Sequence, residues 1–412
     1  MIVRRDREAY LAARTGAAER LGYVDGVRAL AALFVVLTHA FLIAAPAHTG
    51  LNSTPARPSW LPPPHFAVAI FIVVSGFCLT LPIVREDGRL KGGIRHFYFK
   101  RARRILPPYY AALALTLVLV WTIVGEKTGN LWDPSVPVSI AGYIGNALLI
   151  QDVVGFWQVS VPFWSIAVEC QIYLLFPLLL LSWRRLGALG TVFAAVGLSY
   201  VAMIATYFAG SVGPFYFPGL TLHFVGLFAL GMSAAWLAAS ERSRWKNLRD
   251  QIPWSLLMVV FALCAAALCI SGDVEALGPF IELPIGLFAA SLLVAASRPE
   301  RSGRIRKILG VRPLRFVGIF SFSVYLIHAP LLQAEWQYGL RPFHPGTRLS
   351  VALLITIGVP LMLAASYGFF HLFERRFMKP SQRANKSGSR LQAADGKSEA
   401  IPLVAGIETS AA

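Results

Sequence analysis

The stretch VDGVRALAALFVVLTHAF, Val24 to Phe41, decides how this chain is read. From Val27 to Ala45 only Arg28, Thr38 and His39 interrupt an apolar run long enough to cross a bilayer. An ionisable side chain in lipid costs a few kcal/mol or more, so two of them in a first span point to function. On a helix, Arg28 and His39 are about 16 Å apart along the axis and within about 20° of one face. Asp25 lies one turn before Arg28, near the same stripe. The span thus carries charge at one mouth and an imidazole at mid-depth or beyond.

The rest of the chain fits a membrane setting. Of 412 residues, 56% are hydrophobic and 14% charged, where a soluble domain would carry about 25% charged. Ten apolar runs have spanning length, at roughly 27–45, 66–84, 105–125, 162–182, 187–209, 214–238, 252–271, 277–296, 314–335 and 349–373. The expected fold is an all-α polytopic bundle of about ten transmembrane helices. Val138 to Ile150 is too short to span, holds Gly142, Gly145 and Asn146, and reads as an interfacial or re-entrant helix.

The net charge of +17 raises nucleic acid as a partner. Placement removes that reading: Lys and Arg divide 32 to 4 between alternate sets of loops. The positive-inside rule puts both termini in the cytosol. Residues 1–22 form a cytosolic segment and 23–379 the membrane domain, and the polar 380–412 reads as a disordered tail. The APA at 45–47 mimics a signal-peptidase site, but the upstream segment is too long and acidic for a leader. Cys78, Cys170, Cys264 and Cys269 all lie in apolar runs, so neither disulfide nor metal site is expected.

A lone histidine in a span is most simply one satisfied by a neighbouring helix. Three further stretches shift the balance. WSIAVECQIYLLFP (164–177) buries Glu169, with Ser165 one turn earlier on the same face. A buried carboxylate needs a partner, and His39 at similar depth would supply one. FSFSVYLIHAPLL (320–332) brings His328 to a comparable depth. FYFKRARRILPPYY (97–110) sets Lys100, Arg101, Arg103 and Arg104 at the cytosolic start of the third span, with Pro107 and Pro108 expected in its first turns. Arginine forks suit a phosphate clamp. A ligand with a phosphate-bearing head and a thin arm would fit such a layout. The pantetheine arm of coenzyme A is of about the same length as the Arg28–His39 separation. His39 would act as general base, supported by Glu169, on an acceptor hydroxyl arriving from outside.

At these residues the sequence resembles the acyltransferase-3 family of integral membrane acyltransferases, the group of O-antigen acetylases and macrolide acyltransferases. The resemblance runs from about Tyr23 to Phe377. It rests on DGVRALAALFVVLTH, VSGFCLT (74–80), RARRILPPYY, WSIAVECQIYLLFP, FSFSVYLIH and FERRF (373–377), all in order. It implies transfer of an acyl group, acetyl by default, from cytosolic acyl-CoA to a carbohydrate or other hydroxyl-bearing acceptor at the plasma (inner) membrane. The family's catalytic histidine falls on His39 and its glutamate on Glu169. Arg28 matches the arginine of the same first-span motif, Arg101 and Arg104 match the pair associated with acyl-donor binding, and all three are expected to hold the donor. The family often has proline where Arg376 stands, which leaves Glu374 without an assigned role.

Asp25, Ser165 and His328 are taken as supporting residues. His223 and Glu282 either line the acceptor side or make structural hydrogen bonds. Two other classes remain open at this point. A proton-coupled transporter of a glycan or small acid would use the same buried groups as a relay, but no repeated halves are evident. An acyl translocator would hand its cargo to a separate transferase.

Overall fold

A computed structural model describes residues 2–45, 61–85, 89–155, 158–210, 221–241, 243–271, 274–298 and 303–378. The tail from residue 380, most of the APA motif and most of residues 210–219 lie outside these residues. Among the described residues the chain is helical, with no strand.

Among the described residues seven helices are long and apolar enough to cross a membrane, or eight with one bent pair. The first, α1 (Ile2–Ala44), contains the span Gly22–Ala44. It is followed by α2 (His65–Arg85) and α3 (Gly93–Thr122). The short helix α4 (Ile140–Leu148) occupies the run read as too short to span, and α5 (Gln151–Val154) follows it. Next comes α6 (Trp164–Gly210), which would be about 70 Å long if straight, twice the bilayer core. Gly187 breaks it, at φ 73° and ψ −180°. A side chain would strain that left-handed conformation, so glycine sits where one run ends and the next begins. The two arms correspond to the fourth and fifth expected spans.

The shorter apolar helix α7 (His223–Ala239) leads to a polar α8 (Ser243–Gln251). Two further spans, α9 (Trp254–Ser271) and α10 (Val274–Ser297), follow. Of α9 only Ala265 is buried, so this helix is peripheral and gives its apolar surface to lipid. After α11 (Gly303–Leu309) come α12 (Arg312–Ile319) and α13 (Ser321–Ala334), which form the pair bent by 75°. The last span holds α14 (Thr347–Leu353), α15 (Val359–Phe369) and α16 (Arg375–Met378), joined by π-helical turns at Leu354–Gly358 and Phe370–Glu374.

One expectation needs correction. The third helix begins at Gly93, so Pro107 and Pro108 lie near its middle and not in its first turns. Membrane helices tolerate internal proline where neighbouring groups satisfy the freed carbonyls. The arginines therefore project from a formed helix and not from a loop.

The core is aromatic where α3, α6 and α7 meet. Phe176 lies 5.0 Å from Phe97 and 5.6 Å from Phe228, ring centre to centre. Close backbone contact sets α1 against α11 and α12. A Cβ on Gly26 would sit 1.9 Å from the Leu309 carbonyl oxygen, and one on Gly318 would sit 2.1 Å from that of Asp25. No side chain fits at either point, which fixes the Asp25–Arg28 turn against the bent pair.

Candidate functional site

A cavity of about 370 Å³ lies between α1, α2, α3, α6, α12 and α13, with the end of the last span closing one side. Along α2 its wall is Val68, Phe71, Ile72, Ser75, Cys78, Leu79 and Pro82, a helical stripe about 21 Å long. Asp25, Arg28, Arg101, Arg104 and Glu374 also line it, and Ser165, Glu169 and Tyr325 contribute from α6 and α13. The spacing of three between Arg101 and Arg104 puts both on the cavity face, while Lys100 and Arg103 on the intervening faces are exposed.

Three guanidinium groups and three carboxyl groups share this space, yet no ion pair joins them among the described residues. Hydroxyls hold two of the carboxylates instead. Ser75 Oγ donates to Glu169 Oε1 at 2.8 Å, and the Tyr173 hydroxyl donates to the same oxygen. Ser323 Oγ donates to Glu374 Oε2 at 2.5 Å. Arg101 Nε is buried without a hydrogen-bond partner. Unpaired guanidinium groups away from bulk water are costly, and a multiply charged anion such as a phosphate would satisfy them.

His39 is not on this cavity wall. Its Nδ1 lies 2.7 Å from His328 Nε2, with the ring centres 5.0 Å apart and the ring planes within 6° of parallel. Both residues are buried. The expected contact between His39 and Glu169 is not made: Glu169 faces the arginine cavity, and His328 is the partner of His39. The carboxylate found closer partners in hydroxyls, one of them on its own helix a turn away.

The hydrogen bonds fix the tautomers of the neutral pair. His328 Nδ1 faces the Tyr325 carbonyl at 2.8 Å and the Val324 carbonyl at 3.2 Å. Carbonyls only accept, so Nδ1 carries the proton and His328 Nε2 presents a lone pair. His39 Nδ1–H must donate to it. That leaves the lone pair of His39 Nε2 available as a base.

Between the histidines and the cavity stands a polar bridge. The Tyr325 hydroxyl lies 2.7 Å from Ser165 Oγ and donates to the Pro162 carbonyl at 3.1 Å. Ser165 and Tyr325 line the cavity, whereas Pro162 lines a second, small pocket together with His39. That pocket, of about 10 Å³, is also walled by Ile43, Leu131, Trp132, Ser135, Val161 and Ala329.

His223 and Glu282 lie outside both spaces. They hydrogen-bond each other, and His65 Nε2 stands 3.7 Å from the same carboxylate. Sequence reasoning missed Ser75, Tyr173, Tyr325 and Ser135. Tyr173, four residues after Glu169, and Tyr325, three before His328, share a helix face with a residue already singled out and left a readable signal.

Fold and site together define a multi-pass membrane protein in which a charged cavity leads toward a buried histidine pair. The chain belongs to the acyltransferase-3 family, whose Acyltransferase domain profile matches residues 21–371. It is similar to YrhL of Bacillus subtilis (strain 168), whose name assigns it provisionally as a peptidoglycan O-acetyltransferase. That protein is 27% identical over 331 residues, covering 75% of this chain and 48% of the relative. O-acetyltransferase OatA of Staphylococcus aureus (strain NCTC 8325 / PS 47) is 26% identical over 363 residues, covering 84% and 56%. Peptidoglycan O-acetyltransferase OatA of Listeria monocytogenes serovar 1/2a is 25% identical over 322 residues, covering 75% and 49%. The chain spans about half the length of these curated relatives. No solved structure matches it.

Proposed function

We propose that this chain is a membrane O-acyltransferase that moves an acetyl group from cytosolic acetyl-CoA to a carbohydrate hydroxyl on the far side of the plasma (inner) membrane. The observation that carries this is the cavity running from Arg28, Arg101 and Arg104 to the Ser165–Tyr325 bridge beside the histidine pair. The arginines grip the phosphates of the donor, and its thin arm lies along α2. The thioester then arrives near the bridge.

His39 Nε2 takes the proton of the acceptor hydroxyl as that oxygen attacks the thioester carbonyl. Positive charge on the His39 ring is shared with His328 through their hydrogen bond. Collapse expels the thiolate, which recovers the proton from His39. Glu169 acts on the donor side: its carboxylate, held by Ser75 and Tyr173, balances the arginines and does not orient His39. The names of the relatives favour a peptidoglycan-type glycan as acceptor. The positive-inside distribution supports cytosolic termini and a cytosolic arginine mouth.

The test is mass spectrometry of envelope glycans from cells with and without this protein. One glycan species should lose one acyl group and regain it on complementation. Unchanged acylation of every envelope glycan would refute the reading.

A further inference from the structure

We infer that Ser135 is a second catalytic residue, donating a hydrogen bond to the oxyanion that forms when the acceptor attacks the acyl carbonyl. This rests on the acyl-transfer reading above and adds a residue from an outer loop that carries no family motif.

Ser135 is fully buried and lines the small pocket shared with His39. Its Oγ has no hydrogen-bond partner. A buried hydroxyl without a partner costs about 1–3 kcal/mol, so a site that keeps one is holding a donor ready for something else. A pocket of about 10 Å³ has room for about one oxygen-sized group. That matches an oxyanion better than a whole sugar.

The loop around Ser135 is built to hold that hydroxyl still. Ser135 closes a 3-10 turn, Asp133–Ser135. Its backbone N–H donates to the Trp132 carbonyl at 2.8 Å, and its carbonyl accepts from Val159 N–H at 2.9 Å. Asn130 ties the loop to two spans, donating to the Ile43 carbonyl and to Gln333 Oε1, each at 3.0 Å. Trp132 N–H donates back to Asn130 Oδ1 at 2.9 Å. A donor fixed in place before reaction is what stabilisation of a developing charge requires.

The acceptor O–H gives its proton to His39 Nε2 while its oxygen bonds to the carbonyl carbon of the thioester. The C=O π pair moves onto oxygen, which accepts the Ser135 Oγ–H hydrogen bond. The pair returns, the C–S bond breaks, and the thiolate takes the proton from His39. The ester remains on the acceptor.

The inference separates function from stability. Ser135→Ala removes a hydroxyl that costs the fold energy, so melting should be unchanged or higher. Activity should fall about 100-fold, the usual loss when one oxyanion donor is removed. The experiment complements cells lacking the protein with wild type, Ser135→Ala, Ser135→Cys or His39→Ala. It reads alkali-released acetate from envelope glycans and the melting temperature of each purified full chain. Low acetate with Ser135→Ala, an intermediate level with Ser135→Cys and an undiminished melting temperature support the inference. Wild-type acetate with Ser135→Ala, or a lowered melting temperature with its loss, overturns it. Wild-type acetate from His39→Ala would instead overturn the acyl-transfer reading itself, which keeps the two failures apart.

Discussion

The arginine cavity and the histidine pocket differ in almost every physical respect. One is about 370 Å³, lined by three guanidinium and three carboxyl groups. The other is about 10 Å³, with a histidine and one serine hydroxyl among mostly apolar walls. The first is open enough to receive a large charged molecule in the state described. The second admits about one small group, and Asn130 holds its covering loop to α1 and α13. The contrast implies, on the acyl-transfer reading, that the two substrates are treated unequally. On the acyl-transfer reading, the donor side is a preformed charged cavity, and the acceptor side offers room for about one small group beside His39. In such a space each fixed hydrogen bond counts for more than it would in water.

That contrast can be broken from either side. The larger effect is expected at the pocket. His328→Ala removes the acceptor that fixes the His39 tautomer, so the turnover number should fall about 100-fold with the donor KM unchanged. Steady-state kinetics on the purified protein check this split. A change confined to KM would move His328 out of the proton path.

On the cavity side, Arg104→Ala removes a charge-assisted contact of about 1.5–3 kcal/mol. The donor KM should rise roughly 10- to 100-fold, with the turnover number at saturating donor nearly intact. Lysine at the same position should restore only part, because an ammonium cannot form the fork. An unaltered donor KM would mean that the arginines answer topology alone.

The smallest effect concerns neither space directly. Asp152, on the short α5 outside the spans, is buried and accepts from Gln171 Nε2 at 2.9 and 3.1 Å. Burial pushes its carboxyl up to about 6, against the opposing hydrogen bond from Gln171. An unfolded aspartate titrates near 3.9. The folded state therefore keeps a proton that the unfolded state has lost, and stability falls as pH rises from about 4 through about 6. Asp152→Asn should flatten that slope, an effect of about 1–2 kcal/mol read as melting temperature against pH. A slope unchanged by the substitution would assign the pH dependence to other groups.

Much of the arginine cavity was legible in the sequence. The spacing of Arg28 and His39 along one helix and of Arg101 and Arg104 along another are properties of helical period, which a sequence carries directly. The ten apolar runs were visible for the same reason, and the structure places the break between the fourth and fifth of them at Gly187. The histidine pocket was less legible. That His39 meets His328 depends on how α1 packs on α13, and no local rule states it. Glu169 was given the wrong partner because depth along a span says nothing about rotation around the bundle. Glu374 reaches the cavity from a π-helical turn, whose wider period an ideal helix does not anticipate. Ser135 and Asn130 sit in a loop, where periodicity is silent and only hydrogen-bond accounting exposes them.

The central claim is that one chain carries acetyl from a thioester to a hydroxyl by way of His39. The most direct measurement incubates the purified full chain in lipid vesicles with acetyl-labelled acetyl-CoA and an envelope glycan extract, then follows label into alkali-labile ester. Wild type should transfer label, and a well-folded His39→Ala protein should fall at least about 100-fold. Equal transfer by the two proteins, or no label transferred from acetyl-CoA by wild type, would contradict it.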